Sequence, residues 1–148
     1  MNIGVLVKVF LTLCVLFSVE TAFAQMQIPK DTSGKIYQKE EVDKSVDYKG
    51  GIQDFPMLFV TRAKWDLPET CQFNFVLQFI VETSGEITDL KVINIEVVGL
   101  EEADIEKNTK EAIHTLGNLK DWIPAIKDGK IVRCVFEIPF TLFTDMEN

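Results

Sequence analysis

The chain has 148 residues, of which 47% are hydrophobic and 26% charged, and its 23 acidic and 15 basic side chains give a net charge of −8. That mix belongs to globular chains, not disordered ones. An acidic surface repels phosphates, which removes the electrostatic drive for binding nucleic acid.

Met1–Ala24 has one positively charged side chain (Lys8, late for such an n-region), a mostly apolar, uncharged run from Val9 to Val19, and Ala22-Phe23-Ala24 before Gln25. This is the plan of a secretory signal peptide. The run falls short of the roughly 20 apolar residues that span a bilayer, and Glu20 closes it. We therefore expect residues 1–24 to be cleaved, leaving one exported domain with no membrane segment. The alternative is an uncleaved anchor that tethers it to the inner membrane, facing the periplasm. Cys14 leaves with the signal peptide, and Cys71 and Cys134 alone do not make a disulfide scaffold.

Residues 25–45 read as a short polar lead-in. Gln25–Gly34 holds Pro29 and Gly34 without an apolar period and is expected to be flexible, and Ile36–Val42 allows a short extended piece. The domain proper covers residues 46–148. It opens on Val46-Asp47-Tyr48-Lys49-Gly50-Gly51-Ile52, where the glycine pair makes a turn before a helix. Asp54 suits an N-cap and Pro56 a first turn. Phe55, Leu58 and Phe59 carry the apolar stripe of a helix that runs to about Lys64.

From Gln72 to Val81 the odd positions Phe73, Phe75, Leu77, Phe79 and Val81 are large and apolar, which is the period of a strand. Gly85 supplies the hairpin turn, and a second strand follows from Ile87 to about Val97. Its pattern slips between Val92 and Ile93, which predicts a bulge. A second helix over Glu101–Lys120 places Ile105, Thr109, Ala112, Ile113 and Leu116 on one face. The helix dipole favours its acidic first turn (Glu101, Glu102, Asp104) without any metal. After Trp122-Ile123-Pro124 and a Gly129-Lys130 turn, a last strand over Ile131–Phe143 buries Val132, Cys134, Phe136, Ile138, Phe140 and Leu142.

The tight loop makes the first two strands antiparallel, and the helix returns the chain so that the third strand runs antiparallel to the first. The expected fold is α+β: a three-stranded antiparallel sheet of order 2-1-3 with two helices packed mainly on one face. The third strand is then an edge, as Pro139 also requires, because proline lacks the N–H of a central strand. In that register Cys134 lies across from about Phe79 or Ile80. It is then about 25 Å along the sheet from Cys71, too far for a disulfide.

No catalytic constellation is legible. The lone His114 has no partner at metal-type spacing, there is no Gly-x-Ser-x-Gly, and Gly50-Gly51 lacks a phosphate-loop Lys-Ser/Thr. We expect no enzyme activity, metal or cofactor. Function is expected on the edge strand instead, at Ile131, Val132, Arg133, Cys134, Val135, Phe136 and Glu137. Its free backbone groups can pair with an incoming strand.

An ordered set of short motifs supports that expectation. Tyr48-Lys49-Gly50-Gly51 precedes an aromatic helix, and Phe79-Ile80-Val81-Glu82 leads into Gly85-Glu86-Ile87-Thr88-Asp89. Glu111-Ala112, Trp122-Ile123-Pro124, Gly129-Lys130 and Ile138-Pro139-Phe140 follow. Together they resemble the TonB C-terminal domain family, in the stand-alone exported form common in Bacteroidota. The resemblance covers roughly Val46–Phe143 and assigns structural roles to Gly50, Gly51, Gly85, Trp122, Pro124, Gly129 and Pro139. It implies a periplasmic binding domain whose partner is an extended peptide of an outer-membrane transporter or of another envelope protein. Prolines that often flank the first motif are replaced here by Val46 and Lys49. Met1–Ala24 also lacks the histidine, and residues 25–45 the long Pro-rich linker, of the family's anchored energy transducers. The resemblance thus implies the binding domain exported on its own. A self-associating structural domain, a homodimer through paired edges, is the other alternative.

Overall fold

The structure is a computed structural model that describes residues 27–145. The expected signal peptide lies outside the described residues. Among those described, no helix is long and apolar enough to cross a membrane.

The elements, in chain order, are β1 (Ile36–Tyr37), a 3-10 turn (Lys39–Glu41), β2 (Asp47–Tyr48), α1 (Phe55–Arg62), β3 (Cys71–Val81), β4 (Ile87–Val98), α2 (Glu102–Asn118), β5 (Trp122–Ile123), β6 (Ala125–Lys127) and β7 (Lys130–Thr144). The expected three-stranded antiparallel sheet is overturned. The main sheet has five strands in the order β1-β7-β3-β4, with β6 also on β7, and a separate two-stranded sheet joins β2 to β5. The main sheet is mixed, because β1 runs parallel to β7. Two and three residues long, β1 and β6 are too short to show a period. Their partners are set by tertiary contact.

The lead-in is also corrected. It does not trail freely but lies along β7. The Ile131 N–H donates to Pro29 O at 2.8 Å, Asp31 N–H donates to Ile131 O at 2.8 Å, and β1 continues the pairing opposite Arg133 and Cys134. Its polarity matches its position on the surface, where most of its side chains are exposed.

Strict alternation builds the core. Phe73, Phe75, Leu77, Phe79 and Val81 of β3 face inward beside Val132, Cys134, Phe136, Ile138, Phe140 and Leu142 of β7, and all are buried. Phe55 and Phe59 of α1 and Ala112 and Leu116 of α2 close the same cluster. The buried face of α2 differs from the expected one. Asn108 and Thr115 are buried while Ile113 remains 38% exposed. Asn108 is satisfied: its Nδ2 donates to Asp66 O at 2.8 Å and Asp104 O at 2.9 Å, and its Oδ1 accepts from Asp66 N–H at 2.9 Å. Glu111 accepts from Lys64 N–H at 2.8 Å. These bonds fasten the loop after α1 to α2.

The expected N-cap of α1 is not made by the Asp54 side chain. Asp47 orders that turn instead, its Oδ1 accepting from Tyr48 N–H at 2.8 Å and Ile52 N–H at 3.0 Å. Cys71 and Cys134 are both free and buried. Cys71 pairs with Thr144, whereas Cys134 pairs with Val81, one residue beyond the expected register, at the opposite end of β3. Burial pushes the Cys134 thiol up to about 11.

Candidate peptide-binding edge

A strand can template another only where its N–H and C=O groups point outward, and in a strand those groups alternate between its two sides. Ile131 fixes the phase for β7, because both of its backbone groups bond to the lead-in. The register with β3 runs one-to-one through eleven pairs, from Cys71↔Thr144 to Val81↔Cys134, without a shift. The phase therefore holds along β7: even-numbered residues bond toward β3, and odd-numbered ones face the outer side.

The expected site residues can now be placed. Val132 bonds toward β6, and Cys134 and Phe136 bond toward β3. Ile131 and Arg133 face outward but are covered by the lead-in and β1. In parallel pairing the slanted bonds flank the paired residue, so Tyr37↔Cys134 also takes up the N–H of Val135. Of the seven, Glu137 alone has both outward backbone groups unpaired among the described residues, since the Val135 C=O has only the Cys134 Sγ at 3.3 Å. The usable edge is therefore shifted along the chain, to Glu137, Pro139, Thr141 and Phe143. Pro139 sits at an outward position, where its missing N–H costs no ladder bond.

Arg133 holds the lead-in. Its Nε and Nη2 donate to Glu82 at 2.6 and 2.9 Å, and its Nη1 donates to Gly34 O at 3.0 Å. These bonds, with one from Thr88, hold the Glu82 carboxyl below its ordinary value of 4.5, against the opposing effect of burial. A carboxylate whose folded pKa is depressed contributes stability above its unfolded pKa and loses it as pH falls through the folded value. Glu82→Gln should therefore be less stable than wild type at neutral pH. Below pH 4.5 the gap should close, as read from melting temperatures across an acid series.

The opposite edge, on β4, is a poorer template. Between Asn74/Val76 and Gln78/Ile80 the register with β3 shifts. On β4 each shift spans a residue at positive φ, Asn94 at 52° and Asp89 at 50°. Two bulges in twelve residues break the regular spacing that an incoming backbone needs. The sequence showed one slip, at Val92–Ile93, beside the first of them.

The motif residues other than Pro139 gather at the far end of the sheet. Trp122 is buried, with ring centroids 4.9 Å from Tyr48, 4.7 Å from Phe55 and 4.9 Å from Phe79. Gly85 turns the β3–β4 hairpin at φ 85°, and a Cβ there would lie 2.7 Å from Trp122 O. Pro124 adjoins the same contact. Gly129, with Asp128, turns β6 into β7 at positive φ, and Gly50 and Gly51 turn β2 toward α1. These residues shape the scaffold and leave the edge to β7.

His114, on α2, lies 3.2 Å from Asn118 Nδ2, beside a cleft of about 220 Å³ shared with Arg62, Lys64 and Glu111. Among the described residues no three His, Cys, Asp or Glu side chains are grouped to hold a metal ion. No family model, curated protein or solved structure matches the chain.

Proposed function

We propose that this chain is a non-enzymatic binding domain of the cell envelope that captures an extended peptide of an outer-membrane transporter by strand addition to β7. The outer side of β7 beyond Val135, unpaired among the described residues, carries this reading: it continues the line of β1 and keeps an unbroken register with β3. The ordered motifs from Tyr48 to Phe140 support the choice of partner through their resemblance to TonB C-terminal domains.

Thr141→Pro tests the proposal. The N–H it removes faces outward and is unpaired among the described residues, so the fold should be kept, as Pro139 already illustrates two residues away. Capture of the transporter from envelope extracts should fall by at least about tenfold, consistent with losing a central backbone bond and fixing φ. Thr141→Val, which keeps the N–H, should bind as wild type. Equal capture by a folded Thr141→Pro protein would rule out strand addition at this edge.

A further inference from the structure

Beside the free edge lies a cleft of about 430 Å³, walled by Val60, Trp65 and Leu67 on one side and by residues 141–144 on the other. Among the strands it draws on β7 alone. Its walls are fixed in place. Trp65 Nε1 donates to Val60 O at 3.0 Å, and the ring packs edge-on against Phe59 with centroids 5.8 Å apart. At the end of the cleft Thr144 Oγ1 donates to Pro68 O at 2.6 Å and accepts from Cys71 N–H at 3.0 Å. Phe143 nearby is 74% exposed, and Met57, one turn before Val60 on α1, is 71% exposed.

A strand added to β7 sends alternate side chains to the helix-bearing face, level with Phe140 and Leu142. The side chain at that level meets the cleft. We infer that the cleft between α1 and the end of β7 selects a basic extended peptide that places one large apolar side chain there. This rests on the strand-addition reading above and names what the edge would choose. The apolar walls and rim specify the anchor, and the cleft is roomy enough for the bulkiest apolar side chains. Charge specifies the rest. The chain carries −8, and Glu137 is exposed on the edge itself, so a cationic peptide is drawn in. A second copy of this chain is disfavoured by the same charge.

The test pans purified protein against displayed short random peptides. The enriched sequences should be basic and share one Phe, Leu, Ile, Met or Trp at a fixed position. In synthetic copies, replacing that residue with Ser should weaken binding by at least about tenfold, as expected for an anchor seated in a pocket. Val60→Glu and Leu67→Glu, each checked by circular dichroism, should do the same, so that the test survives if one of them fails to fold. If Ser costs nothing while Thr141→Pro abolishes binding, the cleft inference is overturned and strand addition stands. If the apolar residue is required but Thr141→Pro binds as wild type, strand addition falls and takes with it the alignment inferred here. An absence of enrichment overturns both. So does a concentration-dependent dimer disrupted by Val60→Glu, because the occupant would then be a second copy.

Discussion

Trp122→Ala should destabilise the protein by about 3–5 kcal/mol, the range for deleting a buried large aromatic. The indole joins four elements at once. It touches Tyr48 of β2, Phe55 of α1, Phe79 of β3 and, with centroids 6.2 Å apart, Phe136 of β7. No neighbour can fill the space without leaving another contact. Trp122→Phe separates packing from polarity. Trp122 Nε1 is buried without a hydrogen-bond partner, so removing its N–H relieves an unsatisfied donor. The phenyl ring should recover most of the loss. Denaturant midpoints with an unchanged slope would read both values. An alanine variant within 1 kcal/mol of wild type would mean that Trp122 is not the hub described.

The two long inner-face patterns were plain in the sequence because β3 and β7 each place a large apolar side chain or a cysteine at every inward position, and every expected inward residue on them is buried. Elsewhere the signal was weaker for identifiable reasons. β1 and β6 owe their conformation to β7, not to their own residues. Asn108 reads as a polar, outward position, and only its three bonds to Asp66 and Asp104 explain its burial. Asp89 at positive φ leaves no clear break in a run as mixed as that of β4. The stretch of β7 whose outer side is unpaired among the described residues lies further along the strand than the expected Ile131–Glu137. What covers Ile131–Cys134 is the lead-in, a segment whose own sequence carries no strand period. Residues that hold an edge closed are not distinguishable from residues that leave it open until the register is known.

That register yields the sharpest contrast along β7. Phe136→Pro should unfold the protein, whereas Glu137→Pro, one residue on, should remain folded. Phe136 pairs with Phe79, and its even position sends its N–H toward β3. Proline there removes a ladder bond in the middle of the sheet. It also deletes a buried ring whose centroid lies 5.9 Å from Phe79. The ring alone is worth about 3–5 kcal/mol, and the total stability of such a domain is about 5–15 kcal/mol. At Glu137 the N–H faces outward and the side chain is exposed, so proline gives up mainly the surface bond from Gln78. Circular dichroism and thermal melts of the two variants would check this directly. If Glu137→Pro unfolded and Phe136→Pro did not, the phase set by Ile131 would be inverted. The free groups of β7 would then belong to Ile138, Phe140 and Leu142, and the peptide would have to approach through them.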